Sequence, residues 1–235
     1  MDHHFAKLWH PYASNYHAPF FYQDQLKVRA EKYTVITELE LAFLDKMSEQ
    51  FKAIQKILRI SSSSEARASH QKFVPSREKI YGVRMPFINE LASQFKTGGF
   101  DLVEELWKAG ALEEKILAVK ILGKIAKKDP ERSLKMVELF SRNIGNWAVC
   151  DAIGMQGLKP ILKTHQQPVF ELAKKYNRSP DFWKRRLSLV LVEWYTRIKS
   201  LHPEIKSLIR ALENDEEYYV RKAIVWINKN MEKGK

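Results

Sequence analysis

Cysteine, glycine and proline are scarce in this chain of 235 residues, and each scarcity excludes a class of protein. The single cysteine, Cys150, excludes an internal disulfide and any zinc site built from several cysteines. Nine glycines and nine prolines are too few for the many turns of an all-β fold. No apolar run approaches the ~20 residues of a membrane-spanning helix, and the first residues lack the apolar segment of a secretory signal. We therefore expect a cytoplasmic protein without a membrane partner.

Positive charge is in surplus. The formal net charge is +12 at pH 7, and the pI is about 9.6. A protein this basic attracts polyanions, of which nucleic acid is the commonest. Charge alone leaves a second interpretation open, a basic protein with no particular specificity. The apolar fraction of 45% is sufficient for a folded core.

The composition divides the chain into two parts. Four of the seven histidines lie within the first 17 positions, together with a cluster of Tyr and Phe. Their spacing fits no tight metal site, so residues 1–46 are interpreted as an irregular N-terminal arm with one helix within 31–45. Residues 47–235 are predicted to form the main domain.

From residue 47 onward the hydrophobic pattern predicts helices and no strand. The serines at 61–64 are expected to form a loop whose last member caps a helix, and Gly82 to form a tight turn between Val74 and Pro86. The other predicted helices cover 51–60, 86–96, 100–109, 111–127, 130–141, 144–155, 157–164, 167–176, 180–199, 203–213 and 215–231.

Three of these helices recur at a fixed interval. The segments that begin at positions 146, 182 and 218 start 36 residues apart, and the second residue of each is aromatic: Trp147, Trp183 and Tyr219. A period in the mid-thirties is close to that of HEAT-like helical repeats. We therefore predict an all-α fold, an α-α superhelix of HEAT-like helix pairs that forms a curved solenoid with a basic concave face. Such a face suits a duplex held along its phosphates.

Asp151 is the one acidic residue between Leu139 and Phe170, and its neighbours are apolar. Trp147 precedes it by four residues, so the two share a helix face. Arg186 follows one repeat later and Trp226 lies in the last helix. Together they suit a sugar–phosphate substrate, because indoles stack on sugars and cationic bases, arginine binds phosphate, and a desolvated carboxylate stabilises a cation at a sugar carbon.

Each of these residues also has a structural interpretation. Asp151 is able to bond to the N-terminus of a neighbouring helix, and the tryptophans are able to pack in the core. Arg185 and Arg186 form either a solvated face or a phosphate clamp. Cys150 is interpreted as a small packed apolar residue. Spacing alone does not name a reaction.

The sequence resembles the DNA alkylation repair glycosylases, the AlkD-like enzymes built from HEAT-like helix pairs. The resemblance extends from about Phe51 to Met231. It rests on Y-G-V-R-M-P and W-x-x-x-D motifs that occur in this order, within the segments FVPSREKIYGVRMPFINELA (73–92), LWKAGALEEKILAVKIL (106–122), NWAVCDAIG (146–154), DFWKRRLSLVLVEW (181–194) and YYVRKAIVWINKN (218–230).

This resemblance implies that Asp151 is the catalytic carboxylate and that Trp147 is the aromatic residue beside it. It also implies that Arg186 contacts a phosphate and that Trp226 forms a second aromatic wall. We further expect DNA contacts from Trp183, Arg185, Arg221 and Lys222.

The implied activity is that of a monofunctional glycosylase. It would hydrolyse the N-glycosidic bond of N3- and N7-alkylated purines in duplex DNA, without a metal or another cofactor. A nucleoid-associated monomer is expected. The alternatives are a non-catalytic repeat module that binds damaged or branched DNA and a protein-binding scaffold.

The chain departs from the family pattern at three places. Asn146 stands where relatives often carry a second aromatic residue before the motif tryptophan. The loop over 73–82 is longer than in compact relatives. Residues 1–46 lie outside the resemblance, and are either an extension or the result of an upstream start site.

Overall fold

The computed structural model describes residues 48–74 and 76–233. Within these ranges the chain forms helices and turns and no strand, which confirms the predicted all-α class. The arm predicted over 1–46, including its helix within 31–45, lies outside the described residues. The α-helices are α1 (Glu49–Ile60), α2 (Ser64–Phe73), α3 (Met85–Gln94), α4 (Gly99–Ala109), α5 (Leu112–Ile125), α6 (Pro130–Phe140), α7 (Trp147–Ala152), α8 (Gln166–Asn177), α9 (Phe182–Leu191), α10 (His202–Arg210) and α11 (Tyr218–Lys233).

The helices from α3 onward pack in two rows. Helices α3, α5, α7, α9 and α11 contact one another in series and are called row A. Helices α4, α6, α8 and α10 alternate with them along the chain and are called row B; α4 packs on α5, and α8 packs on α9. Each row B helix and the row A helix packed on it bury their apolar faces between the two rows. This is the solenoid-like arrangement predicted from the repeat.

The predicted repeat interval is present in row A. Helices α7, α9 and α11 begin at Trp147, Phe182 and Tyr218, which are spaced 35 and 36 residues apart. Asn146 caps α7 by accepting from the amide of Val149, and Asp181 caps α9 in the same way. These caps satisfy amides that have no partner within the first turn of a helix.

The helix predicted over 144–155 is shorter than expected. Asn146 has an extended backbone and uses its side chain as a cap, so α7 begins only at Trp147. After Ala152 the chain widens into a π-helical turn over Ile153–Gly157. There Gly154 lies so close to α9 that a Cβ would come within 2.6 Å of Val190.

Two other predicted helices were also too long. The segment 157–164 contains only a 3-10 turn over Lys159–Ile161, because Pro160 has no amide hydrogen and its ring clashes with a preceding helical turn. Helix α9 ends at Leu191 rather than at 199, and a 3-10 turn follows in which Thr196 donates to the carbonyl of Glu193. Ser63, rather than the last serine of its run, caps α2.

The core lies between the two rows. Leu117, Val149, Leu187 and Ala223, one from each of four successive row A helices, are fully buried. Cys150 is buried as well, as expected for a packed apolar side chain. Among the helices that the structure describes, none is both long enough and apolar enough to cross a membrane.

Candidate functional site

Asp151 and Arg186 meet between α7 and α9. The Nε of Arg186 donates to Oδ1 of Asp151 and its Nη2 donates to Oδ2, both at 2.9 Å. The pair is largely dry, since 20% of the Asp151 side chain and 8% of the Arg186 side chain are exposed. Such two-bond pairs fix both groups geometrically as well as electrostatically. The repeat therefore brings together two residues that sequence spacing had only placed in register.

Burial raises the pKa of the Asp151 carboxyl, and the hydrogen bonds and charge of Arg186 oppose that rise. Burial also raises the pKa of the neighbouring Cys150 thiol, so this cysteine stays protonated and unreactive at neutral pH. Asp151 is thus the group at the centre of the site that can carry a negative charge.

Arg186 also connects the pair to α11. Its Nη1 donates to the carbonyl oxygen of Tyr219 at 2.6 Å. The Tyr219 ring in turn packs on the indole of Trp183, with ring centroids 5.0 Å apart. Trp226 follows Tyr219 by two helical turns, so it lies on the same face of α11 and is half-buried.

The indole of Trp147 is held by a contact with α2. Its Nε1 donates to the carbonyl oxygen of Phe73 at 3.0 Å, across a sequence distance of 74 residues. Phe73 is the last residue of α2, and 63% of its surface is exposed. The indole of Trp147 is therefore held by the backbone at the end of α2, where the Phe73 side chain is exposed. Sequence reasoning did not assign Phe73 a role, because its contact with Trp147 spans 74 residues and leaves no local signal.

The residues from Val74 to Arg84, of which Pro75 is not described, form a segment called the signature loop. The carboxylate of Glu113, in the first turn of α5, fastens it by accepting from the amides of Tyr81, Gly82 and Val83 at 3.0, 2.7 and 3.1 Å. Gly82 has a φ of +86°, in the left-handed region that favours glycine. Gly82 thus takes the left-handed backbone conformation expected of it, but residues 81–84 form an irregular segment rather than the predicted tight turn.

The other part of the signature loop reaches the N-terminus of α7. The Nδ2 of Asn146 donates to Oε2 of Glu78 at 2.8 Å. The other carboxylate oxygen of Glu78 pairs with Lys115 of α5, which is 2% exposed. A buried chain of contacts thus runs from α5 through Glu78 to the residue that caps the helix of Trp147 and Asp151. Asn146 both caps α7 and donates to Glu78, which explains why a polar residue occupies position 146.

The remaining basic candidates have different surroundings. Arg185 donates from Nε to Oδ2 of Asp215 at 2.6 Å and from Nη1 to two carbonyl oxygens, those of Ser179 and Pro180. Its guanidinium therefore ties the start of α9 to the loop before α11. Arg221 and Lys222 are exposed on α11. The expected contacts of these three residues with DNA remain predictions.

Within residues 48–74 and 76–233, no three His, Cys, Asp or Glu side chains come together in a group that could hold a metal ion. The site consists of an ion pair, aromatic rings and buried polar contacts.

Comparison with known proteins places the chain in a family. The model of the DNA alkylation repair enzyme family matches residues 54–233. A solved structure, a predicted DNA alkylation repair enzyme from Enterococcus faecalis, superposes with a TM-score of 0.65 at 16% identity, covering 74% of this chain and 84% of that chain. At this identity the likeness shows a shared fold. No curated protein sequence matched the chain. Because the family match covers most of the chain, including the signature loop and every residue of the Asp151 site, the protein belongs to the DNA alkylation repair enzyme family.

Proposed function

We propose that the protein is a monofunctional DNA glycosylase, which acts in base excision repair by removing N3- and N7-alkylated purines from duplex DNA. The observation that carries this proposal is the largely dry ion pair of Asp151 with Arg186, whose carboxylate keeps 20% of its side-chain surface exposed, on the short helix that also carries Trp147. A carboxylate in such surroundings stabilises developing positive charge more strongly than one in water.

The reaction assigned to this site is hydrolysis. The bond between C1′ of the deoxyribose and the base nitrogen breaks, and its electron pair leaves with the base. Positive charge develops at C1′, where the Asp151 carboxylate stabilises it. The oxygen of a water molecule then bonds to C1′ and its proton passes to solvent, which leaves an abasic site and a free base.

An alkylated purine suits this modest machinery. Alkylation at N3 or N7 puts a positive charge on the base, so the base departs as a neutral molecule and is a good leaving group. One well-placed anion then suffices, without a general acid for the leaving group. Since no lysine forms a Schiff base in this mechanism, the DNA strand stays intact.

Arg186 has a positioning role in this mechanism. With both carboxylate oxygens and the Tyr219 carbonyl as partners, its guanidinium holds Asp151 in one orientation and favours the ionised form. All three nitrogens of Arg186 already donate within the protein. The phosphate contact first expected of Arg186 stays a prediction. Trp147 and Trp226 are proposed to border the sugar of the lesion.

The test is release of 7-methylguanine from a methylated duplex by the wild type and by Asp151→Asn. The carboxylate loss is expected to slow release by about 10²-fold or more, by analogy with other electrostatic stabilisers. The matched control is Asp129→Asn at the cap of α6, where asparagine caps as well as aspartate and release should be unchanged.

The opposite result has a defined meaning. If neither protein releases base while both bind the duplex, the ion pair is a structural link between α7 and α9. The chain is then a non-catalytic module that binds damaged or branched DNA. The dry, two-bond geometry of Asp151 with Arg186 is the observation that favours this second candidate.

A further inference from the structure

Helix α2 is attached to the rest of the domain mainly through polar contacts. Among its ten residues, all of which the structure describes, Ala66 alone is buried. A helix of this length is marginal in water by itself, and the burial of one methyl group contributes little to its stability. The direction of α2 therefore depends on the hydrogen bonds that it makes with the signature loop.

The signature loop binds α2 through carbonyl oxygens. The Nε and Nη2 of Arg67 both donate to the carbonyl oxygen of Tyr81, at 3.3 and 3.1 Å. The amide of Ser63, the residue that caps α2, donates to the carbonyl oxygen of Gly82 at 2.9 Å. Glu113 accepts from the amides of the same two loop residues. Tyr81 and Gly82 thus connect α5, through their N–H groups, with α2, through their carbonyl groups.

Arg67 is the strongest side-chain contact between α2 and the loop region. The Nδ1 of His70 lies 3.5 Å from Oε1 of Glu113, which is too long for a good hydrogen bond. Glu65 pairs with Arg84 at 3.1 Å, but the two side chains are 81% and 72% exposed, and such pairs contribute little. Arg67 instead places two donors on one backbone oxygen.

The other end of α2 carries the contact with Trp147. The last carbonyl groups of a helix have no partner within it, and that of Phe73 accepts from the indole. The next residue, Val74, is buried and fixes this end of α2 in the core. Arg67 lies six residues earlier, roughly 9 Å along the axis, and so fixes the direction of α2 from that point. Because a helical carbonyl points along the axis, the direction of α2 determines whether the Phe73 oxygen faces the indole.

We propose that Arg67 is a positioning residue for Trp147. Its two bonds to the Tyr81 carbonyl fix the direction of α2, and α2 holds the indole through the Phe73 carbonyl. A side chain held in this way is in place before DNA binds, which is what a precise site requires. The effect on the reaction rests on the proposed function, which puts Trp147 at the sugar of the lesion. The position of the indole in the free protein does not depend on that function.

The first part of the test follows the indole N–H signal of Trp147 by nuclear magnetic resonance, in protein without DNA. The signal is assigned by its absence in Trp147→Phe. In Arg67→Ala it should move upfield and exchange faster with water, because the N–H loses its acceptor. Glu65→Gln, which removes the exposed contact between α2 and the loop, is the matched control and should leave the signal in place. The signal of Trp107, which is buried and stacked on Phe140, verifies the fold of each variant.

The second part measures release of 7-methylguanine with the protein in saturating excess over the methylated duplex, so that affinity for DNA does not enter. Arg67→Ala should release the base roughly three- to tenfold more slowly, which corresponds to the loss of one hydrogen bond. Glu65→Gln should match the wild type. Arg67→Lys keeps the charge without the planar fork, so its rate and its Trp147 signal should lie between those of the wild type and Arg67→Ala.

The outcomes separate this proposal from the glycosylase. An unmoved Trp147 signal in Arg67→Ala overturns the proposal, and so does an equal shift in Glu65→Gln. A moved signal with unchanged release, beside an active wild type, also overturns it. If the wild type releases no base, the glycosylase is rejected, and a signal that moves in Arg67→Ala alone still supports the positioning of Trp147 by Arg67. Should Arg67→Ala lose the Trp107 signal as well, Arg67→Lys decides by the same criteria.

Discussion

Asp151 and Arg186 lie 35 residues apart in the sequence and form a two-bond ion pair between consecutive row A helices. The pair thus depends on the repeat, because the helix interval brings equivalent turns of α7 and α9 side by side. It also sets the charge of the site. Burial alone would favour a neutral carboxyl, and the guanidinium opposes that effect.

Replacing Arg186 by Gln should move the pH dependence of base release. Arg186 lowers the pKa of the Asp151 carboxyl against the effect of burial, so its loss raises that pKa further. Only the ionised carboxylate stabilises the cation. As pH falls, activity is therefore lost at a higher pH in the variant than in the wild type. The measurement is the rate of 7-methylguanine release from preformed complexes as a function of pH, on the acidic side of the pH–rate profile, which is called the acid limb.

Arg186→Lys separates charge from geometry in this experiment. Lysine keeps the positive charge but not the planar fork, so its acid limb should lie between those of the wild type and Arg186→Gln. Identical acid limbs for all three proteins would show that Arg186 does not control the ionisation of Asp151. Circular dichroism on each variant verifies that the overall helical content is retained.

Glu78→Gln should destabilise the fold strongly. It removes the carboxylate partner of Lys115, whose ammonium is buried, and weakens the contact with Asn146 at the cap of α7. Breaking a buried ion pair from one side costs about 3–5 kcal/mol. Urea unfolding measures this loss. Glu65→Gln is the matched control, because Glu65 pairs with Arg84 on the exposed surface and its loss should change stability little.

Phe73→Ala should impair activity without affecting stability. The Phe73 side chain is mostly exposed, while its backbone carbonyl, which the substitution keeps, accepts from Trp147. If the ring stacks on the lesion, its loss costs about 1–3 kcal/mol, or roughly tenfold or more in release at low substrate. Ile60→Ala removes a comparably exposed apolar side chain from α1 and is the control. Equal release by the two variants would exclude a role for Phe73.

Hydrophobic periodicity was sufficient to predict the helices of rows A and B, because the buried face of an amphipathic helix consists of apolar residues at helical spacing in the sequence. It was insufficient for the ends of several helices. The shortening of the helix predicted over 157–164 depends on Pro160, a local feature that can be recognised in the sequence. The π-helical turn after Ala152 depends on close packing of Gly154 against Val190, a contact that periodicity does not contain.

Within the site, too, some residues could be predicted from the sequence and others could not. Asp151 and Trp147 could be identified from one helix, because an isolated carboxylate among apolar residues is visible in the sequence. The roles of Glu78, Glu113 and Phe73 could not, because each depends on a partner at least 30 residues away. Long-range contacts between a loop and a helix leave no regular spacing to detect.

Gly82→Ala should destabilise the protein more than Gly110→Ala, although both glycines have a φ of +86°. A Cβ at Gly82 would lie 2.5 Å from the Ser63 carbonyl oxygen, whereas at Gly110 the nearest atom is 3.7 Å away. Gly110→Ala therefore reports the backbone cost alone, about 1–2 kcal/mol for a left-handed residue. Gly82→Ala adds the clash and displaces the amides that Glu113 binds, which loosens the signature loop against α7. Urea unfolding gives both free energies, and base release should fall only for Gly82→Ala. Equal losses of stability would mean that the signature loop moves at no cost to relieve the clash, and that the Glu113 contacts do not hold it in place.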